Sequence, residues 1–218
     1  MANNKQFILF DHDGVLVETE YWYYQANKRA LAPLDIGLSL DDYLHNMSLG
    51  ISAWDIARER GIDNETIMQY RDKRNQYYQE YILTEDIEIP GVMETLTELV
   101  SRYKMAVVTT SKRPDFELIH KNRRITDFMD FVLTVEDYPR AKPHPDPYLT
   151  ALQRFGAEPD NAVVIEDSAR GLKSAVAAGI DCIVVDNNFT RSHDLSAATM
   201  KINTFGELPS ALNKLGNR

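Results

Sequence analysis

Cysteine is almost absent from this chain. Cys182 is its one thiol, which excludes an internal disulfide framework and a multi-cysteine zinc site. A lone thiol fits a reducing compartment, and a cytoplasmic location is the expectation. Long hydrophobic runs are also missing, because none approaches the roughly 20 residues that span a bilayer. The opening MANNKQFILFDHDG breaks its apolar stretch Phe7–Phe10 at Asp11, too early for the core of a secretory signal. Basic charge is in deficit: 24 Lys and Arg stand against 33 Asp and Glu, a formal net charge of −9. That balance argues against a nucleic-acid or anionic-membrane partner, either of which needs a basic face. Repeats and low-complexity tracts are lacking too. What remains is 218 residues, 44% hydrophobic and 26% charged, an ordinary globular composition with length for one large domain or one domain carrying an insertion.

Four short apolar runs read as buried strands: Phe7–Phe10, Met105–Val108, Ala162–Ile165 and Cys182–Val185, with Phe131–Val135 a weaker fifth. Polar or Gly/Pro-containing residues follow each, and then a helical stretch. This alternation predicts an α/β fold, a parallel sheet with helices on both faces, whose function gathers in loops past the carboxyl ends of the strands. Residues 18–87 break the alternation with helical patterns at Tyr21–Leu31, Ser52–Arg60 and Thr66–Leu83, the last opened by Asp63-Asn64. They predict an inserted α-helical subdomain, with residues 1–17 and 88–218 forming the core domain; Pro90-Gly91 marks the return.

The strand-end loops carry the chemistry. After the first strand come Asp11, His12, Asp13 and Gly14. Residues two apart in extended chain share a side, so Asp11 and Asp13 can face one crevice, where two close carboxylates call for a cation or a proton between them. A hard divalent ion such as Mg2+ suits oxygen ligands. A solvated loop with a turn glycine is the plainer reading of this piece alone. The run Ala162–Ile165 ends in Glu166-Asp167-Ser168, acidic again, although Asp167 or Ser168 would also serve as a helix cap. Thr109, Thr110, Ser111 and Lys112 follow the second strand, where hydroxyls and free N–H groups suit phosphate oxygens; residues 101–125 hold seven Lys/Arg against two Asp/Glu. Lys142 lies in Ala141-Lys142-Pro143-His144-Pro145, a stretch stiffened by alternating prolines. It reads equally as a fixed cation or as an exposed lysine on a connection.

Together these segments resemble the haloacid dehalogenase superfamily of phosphotransferases: FDHDGVLVETE, VVTTS, AKPHPDPYL and VVIEDSARGLKSAVAAG stand for its four motifs, in order, between Phe7 and Gly179. Their style is similar to the beta-phosphoglucomutase and sugar-phosphate phosphatase branch. The resemblance implies a Rossmann-like core and makes the helical insert the family's mobile cap. It implies Asp11 as the nucleophile forming an aspartyl-phosphate, Asp13 as acid and base, Thr109 as phosphoryl ligand and Lys142 as the bridge to Asp11. Gly14, Thr110, Ser111 and Lys112 would line the phosphate site. Mg2+ would be held by Asp11, the main-chain carbonyl of Asp13, and Asp167, with Glu166 nearby or ligating. The implied partner is a small phosphorylated metabolite, met by a monomer. Asp13 argues against halide chemistry, because the family's dehalogenases lack an aspartate there.

The departures bear on substrate. In the family's mutases a cap arginine follows a Gly-Val-Ser-like stretch; here Gly50-Ile51-Ser52 is followed by Ala53. Where the mutases carry a histidine ten residues past the acid–base aspartate, this chain has Tyr23. Arg74 falls where they carry a cap lysine, and Glu18 where an aspartate is usual. Tyr23 and Arg74 are therefore the cap's candidate substrate contacts. Tyr70, Tyr77 and Tyr81 lie at helical spacing and read as cap core; the five histidines show no paired metal-ligand spacing. The leading expectation is a Mg2+-dependent phosphatase of a sugar or polyol phosphate. A phosphomutase of the same fold is the runner-up, and a binding or regulatory module with a degenerate site is the alternative from another class.

Overall fold

The structure, a computed structural model, describes residues 5–49 and 51–216. Gly50 of the Gly50-Ile51-Ser52 stretch lies outside the described residues. Contacts divide the chain into two compact units, one of Met1–Glu18 with Glu88–Arg218 and the other of Thr19–Ile87.

The first unit is built on a parallel sheet of β1 (Phe7–Phe10), β2 (Lys104–Val108), β3 (Phe131–Leu133), β4 (Ala162–Glu166), β5 (Asp181–Val185) and β6 (Met200–Ile202), in the order β3-β2-β1-β4-β5-β6. β1, β2, β4 and β5 coincide with the strong apolar runs to within a residue. β6 escapes a sequence reading because three residues, Met200-Lys201-Ile202, with an exposed lysine between half-buried and buried ends, carry too short a pattern. β1 lies centrally, and the chain order reverses between it and β4. That is the switch point where open α/β sheets bind ligands.

Alternation along β1 sends Leu9 to one face, into a core with Ala106, Val164, Tyr148 and Leu172. Phe10 points to the other face and meets the ring of Phe205 at 5.9 Å. The helices of this unit are α5 (Val92–Leu99), α6 (Arg113–His120), α7 (Asp146–Phe155), α8 (Ala169–Ala177) and α9 (Leu208–Gly216). α7 and α8 contribute Tyr148, Ala151, Leu172 and Ala175 to the Leu9 core; α5 packs with α9.

The second unit holds α1 (Glu20–Leu31), α2 (Leu40–Leu49), α3 (Ala53–Glu59) and α4 (Asn64–Thr84). α3 starts in a capping box of Ser52 and Asp55. α4 starts where Asp63 accepts the Thr66 N–H at 2.8 Å. Among the described residues no helix is long and apolar enough to cross a membrane. The tyrosine stripe is corrected here: Tyr70, Tyr77 and Tyr81 are half-buried, while α4 buries Ile67, Arg74, Tyr78 and Ile82. Tyr77 instead takes the Arg29 guanidinium over its ring at 3.9 Å. An amphipathic ring on the flank can cover a neighbouring cation, which a stripe count does not anticipate.

Candidate active site

The sheet register aligns Phe10 with Val107 on one side and with Ile165 on the other. The residues leaving β1, β2 and β4 therefore emerge at one level, and the ladder runs on past β1, the Asp11 N–H donating to the Ile165 carbonyl at 2.8 Å. This brings Asp11, Thr109, Glu166 and Asp167 to the switch point.

Lys142 is the hub. Its Nζ donates to Asp11 Oδ1 at 2.7 Å, Glu166 Oε1 at 2.7 Å and the Val108 carbonyl at 2.9 Å. Three donors meet three acceptors, which satisfies the ammonium completely. Only 5% of Lys142 is exposed, so it is a fixed buried charge rather than a surface lysine. Burial opposes that charge, but Asp11 and Glu166 outweigh it and raise its pKa above the ordinary lysine range. Tyr148, from the first turns of α7, donates to the same Glu166 Oε1 at 2.7 Å. Glu166 Oε2 accepts from the Asp167 and Ser168 N–H groups at 3.2 and 3.4 Å and from Ser168 Oγ at 3.1 Å. Burial opposes the Glu166 charge, yet Lys142 and these donors hold its pKa below the usual value.

Asp11 has the opposite balance. Burial comes first, then the neighbouring Glu166; together with Asp13 they overcome Lys142 and raise its pKa to about 6. Carboxylate oxygens of Asp11, Glu166 and Asp167 lie within 4.8 Å of one another. An all-oxygen set in which Glu166 and Asp167 are buried and the half-buried Asp11 is already pushed toward its neutral form is the donor chemistry a hard divalent cation relieves, so this cluster fits Mg2+.

Asp13 faces the second motif. Its Oδ2 accepts from Ser111 Oγ at 2.6 Å and Thr109 Oγ1 at 3.3 Å. Thr109 is fully buried; its Oγ1 accepts the Ser111 N–H at 3.0 Å and its carbonyl accepts Tyr138 OH at 2.7 Å. Thr110 is half-buried and accepts from Arg170 at 3.3 Å, while Lys112 is the exposed residue preceding α6. His12 is fully buried, with Nδ1 3.3 Å from Asp13 Oδ2 and Nε2 2.8 Å from His120 Nε2. Burial and His12 lower the His120 pKa to about 3, so that ring stays neutral.

Gly14 has a left-handed φ of 79°, and a Cβ there would overlap Asp167 Oδ2. A side chain would close the space between the first and fourth motifs. In the helical unit, Arg74 is buried, lies over the Tyr23 ring at 4.5 Å and donates from Nε to Asn75 Oδ1 at 3.0 Å. Tyr23 also meets Tyr78 edge-on at 5.3 Å.

Tyr138, Tyr148 and Asn187 donate hydrogen bonds to Thr109, Glu166 and Asp167 without standing out in the sequence. Tyr148 lies inside AKPHPDPYL, where α7's spacing from Lys142 was the available signal. Asn187 follows β5 with no motif around it.

The family model for haloacid dehalogenase-like hydrolases matches residues 8–185. The chain belongs to that family, and it is an enzyme of the hydrolase class. It is 30% identical to Protein CbbY of Rhodobacter capsulatus over 207 residues, covering 89% of this chain and 91% of that one. It is 31% identical to Pyrophosphatase PpaX of Bacillus cereus strain AH820 over 186 residues, 79% of each. A solved structure of a mutant CbbY from Rhodobacter sphaeroides, in complex with xylulose-(1,5)bisphosphate, superposes with a TM-score of 0.79 at 26% identity, over 94% of this chain and 96% of that one.

Proposed function

We propose that this protein is a Mg2+-dependent phosphatase that hydrolyses a small phosphorylated metabolite, a sugar or polyol phosphate, through an aspartyl-phosphate on Asp11. The observation that carries this is the Lys142 ammonium 2.7 Å from Asp11 Oδ1, with Asp13 on the same loop held by the hydroxyls of Ser111 and Thr109.

Asp11 attacks phosphorus, and the bond to the ester oxygen breaks as that oxygen takes the proton of Asp13. Asp13, now ionised, removes a proton from water, whose oxygen attacks the aspartyl-phosphate and returns Asp11 as inorganic phosphate leaves. Acid–base help of this kind contributes about 10²–10⁴-fold. Lys142 and the Thr109 hydroxyl stabilise the phosphoryl oxygens as their charge shifts. Asp11, the Asp13 carbonyl and Asp167 would hold Mg2+, which when bound neutralises the dianionic ester against this acidic site. Glu166, both of whose oxygens are hydrogen-bonded within the protein, anchors Lys142. The sugar bisphosphate bound to the Rhodobacter sphaeroides relative supports a sugar phosphate as the substrate class.

The test is a panel of phosphate esters assayed with Mg2+ and scored for inorganic phosphate and for isomerised product. Phosphate release that chelator stops and Asp11→Asn abolishes is expected. A folded wild-type protein that releases none across the panel, or a folded Asp11→Asn protein that still releases it, overturns the reading.

A further inference from the structure

Asn187 lies two residues beyond β5, 8% exposed, in a loop to which no part of the chemistry above is assigned. Its Nδ2 donates to Asp167 Oδ2 at 3.0 Å and to the Gly14 carbonyl at 3.3 Å. Its Oδ1 accepts the Phe189 N–H at 2.8 Å. That last bond decides the orientation of the amide: the oxygen is committed to an N–H, so the NH2 group must face Asp167. The loop supports this pose, because the Thr190 N–H and hydroxyl both donate to the Asn187 carbonyl, at 3.1 and 3.4 Å. Three segments thus meet at one amide: the first-motif loop at Gly14, the fourth-motif carboxylate and the β5 loop. They meet closely enough that a Cβ on Gly14 would overlap Asp167 Oδ2.

We propose that Asn187 is a positioning residue of the metal site, fixing the rotation of the Asp167 carboxylate and tying it to the loop that carries Asp11 and Asp13. A carboxylate beside other carboxylates turns away from them unless something holds it, and a neutral donor holds it without adding charge. Losing such a support behind a metal ligand typically costs about 10–100-fold in metal affinity. The inference rests on the Mg2+ reading of the site.

The experiment is calorimetric titration of Mn2+ into substrate-free protein, alongside far-UV circular dichroism and Tm in chelator to show that each variant is folded. Asn187→Ala should weaken Mn2+ binding by about 10–100-fold. Asn187→Ser keeps a hydroxyl that can accept the Phe189 N–H and so preserve the turn, but it is too short to reach Asp167; it should lose as much as the alanine variant. Arg191→Ala, which removes a surface pair with Asp186 in the same loop, should bind as wild type does. Folded Ala and Ser variants with wild-type affinity overturn the inference alone, as does recovery by serine, which would make the role the turn. Wild-type protein that binds no Mn2+ overturns the metal reading and the inference with it.

Discussion

At Asp11 the folded protein works against itself. Its carboxyl pKa stands at about 6 against an ordinary 3.8, with burial the leading cause. A raised pKa means that the folded state favours the protonated form. Stability from this group is therefore full at low pH and is lost as pH rises through about 6. Asp11→Asn cannot ionise, and its amide oxygen can still accept from Lys142. In chelator at pH 7.5 it should be more stable than wild type by up to about 3 kcal/mol, roughly two pK units at about 1.36 kcal/mol each. The gap should shrink as pH falls below about 6 and close near pH 3.8. Urea unfolding at both pH values checks this, and a wild-type protein as stable as the variant at pH 7.5 would contradict it. Lys142 shows the opposite logic. Lys142→Met leaves the fully buried Glu166 without its counter-ion and should destabilise by about 3–5 kcal/mol, read as a lowered urea midpoint, besides losing turnover.

Among the elements, α8 carries the sharpest conflict between local and tertiary preference. Ser168 caps it by accepting the Gly171 N–H at 3.1 Å. Gly171 lies in its first turn, where alanine would be favoured by about 1 kcal/mol on helix propensity. Yet a Cβ at Gly171 would overlap the Glu166 carboxylate, and Lys142, Tyr148 and Ser168 fix that carboxylate in place. Gly171→Ala should therefore lower stability by more than about 1 kcal/mol and reduce activity, against its propensity. An unchanged or raised Tm would show that Glu166 can move. The elements themselves were legible to different degrees. β1 is Phe7–Phe10 in the sequence and in the fold, because a central parallel strand is buried on both faces and reads as one apolar run. α2 passed unread although Leu40, Tyr43, Leu44 and Met47 fall at i, i+3, i+4 and i+7 of LDDYLHNMSL: the stripe spans only two turns, and of these four only Tyr43 is buried.

The choice between water and sugar as phosphoryl acceptor belongs to the whole molecule. A mutase must grip a bisphosphate at two places. Ala53, at the start of α3, brings no charge, and Tyr23 gives its ring face to Arg74 at 4.5 Å. Among the described residues of the helical unit Arg74 is the buried cation. One missing charged hydrogen bond costs about 1.5–3 kcal/mol, or one to two powers of ten in binding. Hydrolysis should dominate. With Mg2+, beta-glucose 1-phosphate and a trace of the 1,6-bisphosphate, inorganic phosphate should accumulate faster than glucose 6-phosphate; the reverse order would favour a mutase.

The sequence by itself determined the parallel sheet and the acidic residues at its strand ends. Both follow from local pattern: burial on two faces makes continuous apolar runs, and chemistry lies where those runs stop. Tertiary structure alone decided how these groups divide their work. Lys142 could be read as an exposed lysine until the fold enclosed it with Val108, Asp11 and Glu166, residues 24 to 131 positions away. Glu166 and Asp167 are adjacent and chemically alike, yet one anchors that lysine and the other meets Asn187 from the loop after β5. Hydrogen-bond partners so distant in sequence leave no periodicity behind, because what selects them is the register of the sheet rather than the spacing of the chain.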